Sequence, residues 1–396
     1  MIFSFDFSLP VWLLLALMLL AVIVGSWVGL KNMRSFARRG TRVFDAEAEE
    51  AAELPKATVI VYAKNSEQTI SPWLKTVLSQ DYPDFEVIVV NDASIDNTAE
   101  IVETLMENEP RLRYSFVPDS SRNVSRRKVA LTIGAKGATG DVLVMVNAHS
   151  EIPSGEWLRR MAAPFADSGV EVVLGASVYP FERQNGAGRW YREFDSLLTL
   201  SQWMGSALAD APYRGDAYSL AIRRSTFFDN NGFALTNRFV AGEDDIFINS
   251  IATAQNTRLA FRRDALVVRD LPQSEYPRLW LREKERYAFT ARYLDTWALR
   301  RQALVSLCQW MVLGCGVAAA IVAWPNLAAA TVALLLLLFM WGYEICLYRR
   351  SAKLVGSVRL FWSVPLFLLF RPLAGALMRI RFRANKAYNY TWKHPK

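Results

Sequence analysis

Residues 86–98 read EVIVVNDASIDNT. An unbroken apolar run, Val87 to Val90, passes directly into Asn91, Asp92, Ser94, Asp96, Asn97 and Thr98. The first part has the composition of a buried strand, and the second that of a turn leading into a helix N-cap. Carboxylates at a strand end can accept hydrogen bonds from ribose hydroxyls or a base N–H. The same residues are also ordinary turn and cap chemistry. The surrounding pattern narrows that choice.

Outward from this stretch, strand and helix signals alternate. Residues 58–62 form a short β-branched run, a strand candidate. Ser66 can cap a helix through 79, with Trp73, Leu74, Val77 and Leu78 on its apolar face. A helix over 98–108, a strand over 112–117, a helix over 126–137 ended by Gly140, and a buried strand over 142–146 follow. This βαβαβ order predicts an α/β domain with a mostly parallel sheet. Ligands of such sheets bind at the carboxyl ends of the strands. No GxGxxG or GxxxxGK[ST] occurs, which argues against a dinucleotide fold or a P-loop.

Three other segments carry candidate chemistry. After the strand at 142–146 come Asn147, Ala148, His149, Ser150 and Glu151, a possible divalent-cation site or a polar loop. Gly242-Glu243-Asp244-Asp245 precedes an apolar run, either as an acidic helix start or as a general base near an acceptor hydroxyl. Residues 280–287, WLREKERY, place aromatics and cations on one helix, as a basic surface or as an arginine that meets a diphosphate.

The chain has 396 residues, 52% of them hydrophobic, with a formal net charge of +8. The apolar residues concentrate at both ends, and many basic residues flank those runs. That placement favours a membrane surface over nucleic acid. The three cysteines, Cys308, Cys315 and Cys346, form no CxxC pair, and the two histidines exclude a multi-histidine metal site.

Residues 10–30 are long enough to span a bilayer, which takes roughly 20 residues. Basic residues follow this run (Lys31, Arg34, Arg38, Arg39), so residues 1–9 are expected outside and residue 31 onward inside. Residues 303–324 and 327–348 read as a helical hairpin broken at Pro325-Asn326, with both ends inside. Residues 31–54 are expected to be a basic and then acidic linker, and 55–300 an internal catalytic domain. Residues 353–396 are expected to be an interfacial amphipathic segment and a basic tail. Glu344 is expected at the interface.

Taken in order, these features resemble the family 2 glycosyltransferases, whose catalytic domain has the GT-A fold. Residues 58–67 (TVIVYAKNSE) are similar to the family's opening strand and PxYNE turn. EVIVVNDASIDNT resembles EIIVVDDGSTDNT. Residues 128–141 resemble KxxALNxGxxxAxGD. Gly242-Glu243-Asp244-Asp245 matches the acceptor-side ED motif, and Glu283-x-x-Arg286-Tyr287 resembles QxxRW. Residues 213–223, before Gly232-Phe233, resemble the acceptor-side strand GxxxNLAYR.

The resemblance implies donor-binding roles for Ala63, Asn65, Glu67, Asp92, Lys128 and Asn147. It implies Asp244, beside Glu243, as the catalytic base of an inverting transfer. Arg286, Tyr287 and Asp245 would meet the donor diphosphate and the acceptor. The family's DxD metal motif reads Asn147-Ala148-His149 here, leaving His149 as the candidate ligand for Mn2+ or Mg2+. The expected partners are a nucleotide sugar, UDP-linked by preference, and a lipid-linked or glycan acceptor at a bacterial inner membrane. A processive polysaccharide synthase and a catalytically silent nucleotide-sugar-binding scaffold are the alternatives.

Overall fold

The computed structural model describes residues 3–45, 53–118, 124–294 and 297–384. Nine strands form one sheet: β1 Ala57–Ala63, β2 Phe85–Asn91, β3 Leu112–Phe116, β4 Val142–Asn147, β5 Ser150–Glu151, β6 Val172–Val178, β7 Leu220–Arg223, β8 Thr257–Ala260 and β9 Leu266–Arg269. The sheet order is β3-β2-β1-β4-β7-β6-β9-β5, with β8 also paired to β6. β3, β2, β1 and β4 are mutually parallel. β7 runs antiparallel to both β4 and β6. The sheet is therefore mostly parallel, as the sequence pattern predicts.

Thirteen α-helices are described. They are α1 Leu9–Val24, α2 Lys31–Asp45, α3 Glu67–Leu78, α4 Thr98–Met106, α5 Arg126–Gly137, α6 Trp157–Ala162, α7 Gly188–Ala207, α8 Arg224–Asp229, α9 Ile246–Ile251, α10 Tyr276–Thr290, α11 Trp297–Val322, α12 Leu327–Val355 and α13 Ser363–Ala384.

Alternation along the strands builds two cores. Val59 and Val61 of β1 pack with Ile70, Trp73 and Val87 under α3. Ile60 faces the other way, toward Ile88, Leu131 and Phe36. Strands buried on both faces are fully apolar, which is why these runs lack an alternating pattern. The register sets Ala63 beside Asn91 and Tyr62 beside Asn147. The polar ends of three neighbouring strands therefore lie at one edge.

Three helices are long and apolar enough to cross a membrane: Leu9–Gly29, Arg300–Val322 and Leu327–Val355. α1 continues as a π-helical turn, Gly25–Gly29, before α2. The linker expected over 31–54 is helical over 31–45. Met33, Phe36 and Ala37 are buried there against the catalytic core, so the segment is part of the packed body. α2 approaches α7 so closely that a Cβ on Gly205 would lie 1.9 Å from the Asn32 carbonyl oxygen. The acidic residues at 46–52 and the basic tail from 385 lie outside the described residues.

α12 extends to Val355, seven residues beyond the expected end of the span at 348. Glu344 is fully buried within the protein, and Gln309 Nε2 donates to both its oxygens at 2.9 Å. α13 packs on the protein through Val364 and Leu368. It leaves Leu366, Phe370, Leu373 and Leu377 exposed, an apolar outer face.

Candidate functional site

The loops after β1 and β2 are tied to each other. Asn65 N donates to Ser94 Oγ at 2.9 Å, and Ile95 N to Asn65 Oδ1 at 3.0 Å. Glu67 N donates to Asp96 Oδ2, and Asn97 N returns a bond to Glu67 Oε2, both at 3.1 Å. Asn65 and Ala93 both have φ of 48°, a left-handed geometry that sharp loop turns need. Asn65 and Glu67 therefore shape the pocket wall by bonding its opposite loop. Ser66 occupies the N-cap position of α3, yet its hydroxyl makes no cap bond and donates to Lys64 O instead.

Asp92 sits at the end of β2 beside these loops and is buried. Tyr62 Oη donates to its Oδ2 at 2.7 Å, and Lys64 Nζ lies 3.2 Å from the same oxygen. Arg126 Nε pairs with Oδ1. A carboxylate has about four acceptor positions. Three are occupied, so Asp92 organises two cations at the pocket as well as offering an acceptor. Tyr62, Lys64 and Arg126 escape a motif reading because their roles depend on partners about thirty residues away.

The acceptor-side carboxylates lie across the β1 and β4 strand ends. Asp244 is 1% exposed, and Arg286 Nη2 donates to its Oδ1 at 2.7 Å. Arg286 also lies 3.5 Å from Glu243, and Arg127 Nε lies 3.3 Å from the same Glu243 oxygen. Arg127 sits 5.4 Å from the Tyr62 ring centroid. A chain of contacts thus runs from Asp92 through Tyr62, over whose ring the Arg127 guanidinium lies, and on through Glu243 and Arg286 to Asp244. Burial pushes the Asp244 carboxyl up, but Arg286, Arg214 and Arg127 outweigh it and hold the group below the usual carboxylate range. Burial and the Asp244 charge push Asp245 up to about 6.

Gly242 provides the turn into this cluster with φ of +113°, a conformation that side chains resist. Lys128 stabilises the preceding loop. Its buried Nζ donates to the carbonyls of Thr236 at 2.8 Å, Phe239 at 3.2 Å and Ala241 at 2.7 Å. All three ammonium protons are used, so Lys128 is a clamp on the loop carrying Asp244 and not a donor contact. Burial pushes it down to about 8.

Arg286 reaches the carboxylates directly, whereas Tyr287 meets them only through Arg214. The Arg214 guanidinium lies 3.6 Å from the Tyr287 ring centroid and 3.6 Å from Asp245 Oδ2. Glu283 has a buried partner that explains the departure from glutamine: Arg269 Nη1 donates to it at 2.5 Å, and Tyr179 Oη donates at 2.6 Å.

The candidate metal position is otherwise engaged. Asn147 Oδ1 accepts from His149 N at 2.9 Å, and His149 Nε2 lies 3.3 Å from the Lys64 carbonyl oxygen. Burial pushes the His149 imidazole below the usual histidine range. No group of three or more His, Cys, Asp or Glu side chains among the described residues could hold a metal ion. A lone imidazole beside an amide is a poor donor set for a hard cation. The residues of the altered DxD therefore do not by themselves form a divalent-cation site.

Residues 58–243 match the family model described as Glycosyl transferase family 2. The Bacillus subtilis "Probable glycosyltransferase YdaM" is 26% identical over 265 residues, 62% of this chain and 57% of that protein. The GalNAc(5)-diNAcBac-PP-undecaprenol beta-1,3-glucosyltransferase of Campylobacter jejuni is 28% identical over 198 residues, 50% of this chain and 60% of that protein. The chain thus spans somewhat under two thirds of both relatives. The solved mannosyltransferase PcManGT from Pyrobaculum calidifontis, in complex with GDP-Man and Mn2+, superposes with a TM-score of 0.55 at 21% identity, covering 92% of this chain and 99% of that one. That likeness concerns the fold, and the fold is GT-A.

Proposed function

Because the chain carries a family 2 glycosyltransferase domain over residues 58–243, we propose that it is an inverting transferase working at the inner face of a bacterial membrane. It moves a sugar from a nucleotide donor, UDP-linked by preference, to a lipid-linked or glycan acceptor. The observation that carries this reading is the chain of contacts joining Asp92, at the strand ends, to Asp244 and Arg286.

Asp92 and the loop shaped by Ala63, Asn65 and Glu67 hold the nucleoside. Asp244 takes the proton of the acceptor hydroxyl. The acceptor oxygen then bonds to the anomeric carbon as the bond to the diphosphate breaks, and the nucleoside diphosphate leaves from the opposite face. Arg286 holds Asp244 in its charged form and faces the leaving diphosphate, where a cation is worth most in a water-poor site.

The mostly exposed apolar faces of the three candidate spans, including Leu13, Leu20, Ile321, Leu335 and Phe339, support the membrane assignment. Radiolabelled UDP- and GDP-sugars incubated with membranes holding the full chain test the proposal. Transfer or donor hydrolysis is expected with at least one donor. Inactivity with every common donor contradicts it.

A further inference from the structure

The acceptor-side helices leave a groove of about 630 Å³ between α7, α10, α11 and α13. Its inner wall is charged. Asp195, on α7, is ion-paired with Lys284 of α10 and lies 3.6 Å from Arg371 of α13. Arg214 completes the set, so three cations and one carboxylate line the groove. Arg214 is 4% exposed; its Nη2 is ion-paired with Asp245 Oδ2 at 3.6 Å, too far for a hydrogen bond, and neither Nη2 nor Nε has a hydrogen-bond partner among the described residues. A buried guanidinium with unused donors costs free energy until an acceptor arrives. Such a fork suits a phosphate.

The outer wall is apolar. Leu307 and Trp310 of α11 and Met378 of α13 line it, in the helix that begins a candidate membrane span. Leu307 is 57% exposed and Trp310 44% exposed. At the inner end, Arg214 and Tyr287 belong both to the groove and to the surroundings of Asp245. The groove therefore joins the carboxylate cluster to the helices expected in lipid.

We infer that this groove binds the phosphate of a lipid-borne acceptor, with Arg214, Arg371 and Lys284 meeting the phosphate and the α11–α13 wall meeting the lipid chain. This rests on the transferase reading and narrows its acceptor to one carried on a lipid phosphate. The excess of cations favours an anionic head, and the continuity with α11 favours one that arrives from the bilayer. A free glycan would need neither feature.

The test uses the full chain in detergent micelles without nucleotide. A fluorescent polyprenyl phosphate is titrated in, with the matching polyprenol and inorganic phosphate as competitors. Binding is expected to be displaced at least tenfold less well by the polyprenol, and not by millimolar inorganic phosphate. Arg371→Gln is expected to weaken binding at least tenfold. Leu307→Glu is expected to do the same by placing a negative charge on the entry wall, with retained donor binding showing that the variant is folded. Equal competition by the polyprenol, full displacement by inorganic phosphate, or unchanged affinity in Leu307→Glu overturns the inference. Donor binding is measured separately by calorimetry. Donor binding and transfer without lipid-phosphate binding refute the groove alone, whereas lipid-phosphate binding with no nucleotide-sugar binding refutes the transferase reading.

Discussion

The Arg286 guanidinium donates a 2.7 Å hydrogen bond to the buried carboxylate of Asp244. Burial alone would favour the protonated acid, and the arginine reverses that preference. Replacing Arg286 by Ala therefore removes the largest of three charge partners and lets burial push the Asp244 carboxyl up against Arg214 and Arg127 alone. The expected result is a loss of kcat of roughly 10²-fold or more. The ratio of wild-type to variant rate should narrow as pH rises, because the freed Asp244 titrates at higher pH. Arg286→Lys should recover part of the rate. A pH–rate profile of both variants checks this.

Asp92 binds three protein donors and is expected to hold the nucleoside through the remaining acceptor position. Asp92→Asn removes the charge that positions Lys64 and Arg126. Donor affinity should fall by about 1–3 kcal/mol, the range for losing buried hydrogen bonds. Calorimetry with the preferred nucleotide sugar measures it. Tyr62→Phe should cost less, since it removes a single donor.

The first half of the sheet is legible in the sequence because each strand is an apolar run ended by polar residues. Val142–Asn147 and Phe85–Asn91 stand out in this way. The second half is not. β8 reads Thr-Arg-Leu-Ala, β5 has two residues, and β6 pairs with strands more than forty residues away in sequence. Nothing local marks those pairings. The same applies to the site. Asp92 and Asp244 stand at marked strand and helix ends. Lys128 stands in a motif of its own, but its direction depends on a loop over 236–241 that closes around its ammonium. Of the linker expected over 31–54, the part over 31–45 is a packed helix instead, because its basic residues hide an apolar stripe, Met33, Phe36 and Ala37, on the helix that packs against α7.

Glu86, at the start of β2, carries the pH-dependent stability that is most open to measurement. Burial pushes its carboxyl up, but bonds from Thr139, Arg113 and Thr58 outweigh that and lower it. A lowered folded-state value means the stabilisation is present above the unfolded value and lost as pH falls through the folded one. Glu86→Gln should therefore reduce stability by about 1.5–3 kcal/mol at neutral pH. The difference from wild type should shrink below pH 4.5, the ordinary glutamate value. Thermal denaturation of the detergent-solubilised chain at several pH values reads this directly.

Glu283 and Arg269 form a buried pair at 2.5 Å. Restoring the family's glutamine, Glu283→Gln, leaves the Arg269 charge with only the more distant Asp216, at 3.7 Å, as its carboxylate partner. The expected cost is roughly 3–5 kcal/mol, as for breaking a buried ion pair from one side. The double change Glu283→Gln with Arg269→Met should recover much of that loss. Denaturation midpoints of the single and double variants distinguish the two outcomes.

The account rests most heavily on Asp244 as the base of a sugar transfer. The most direct measurement pairs donor binding with transfer in the wild type and in Asp244→Asn. The predicted result is donor affinity within a few-fold of wild type and transfer reduced by about 10²–10⁴-fold, the usual contribution of a general base. Transfer at the wild-type rate by Asp244→Asn would contradict the account.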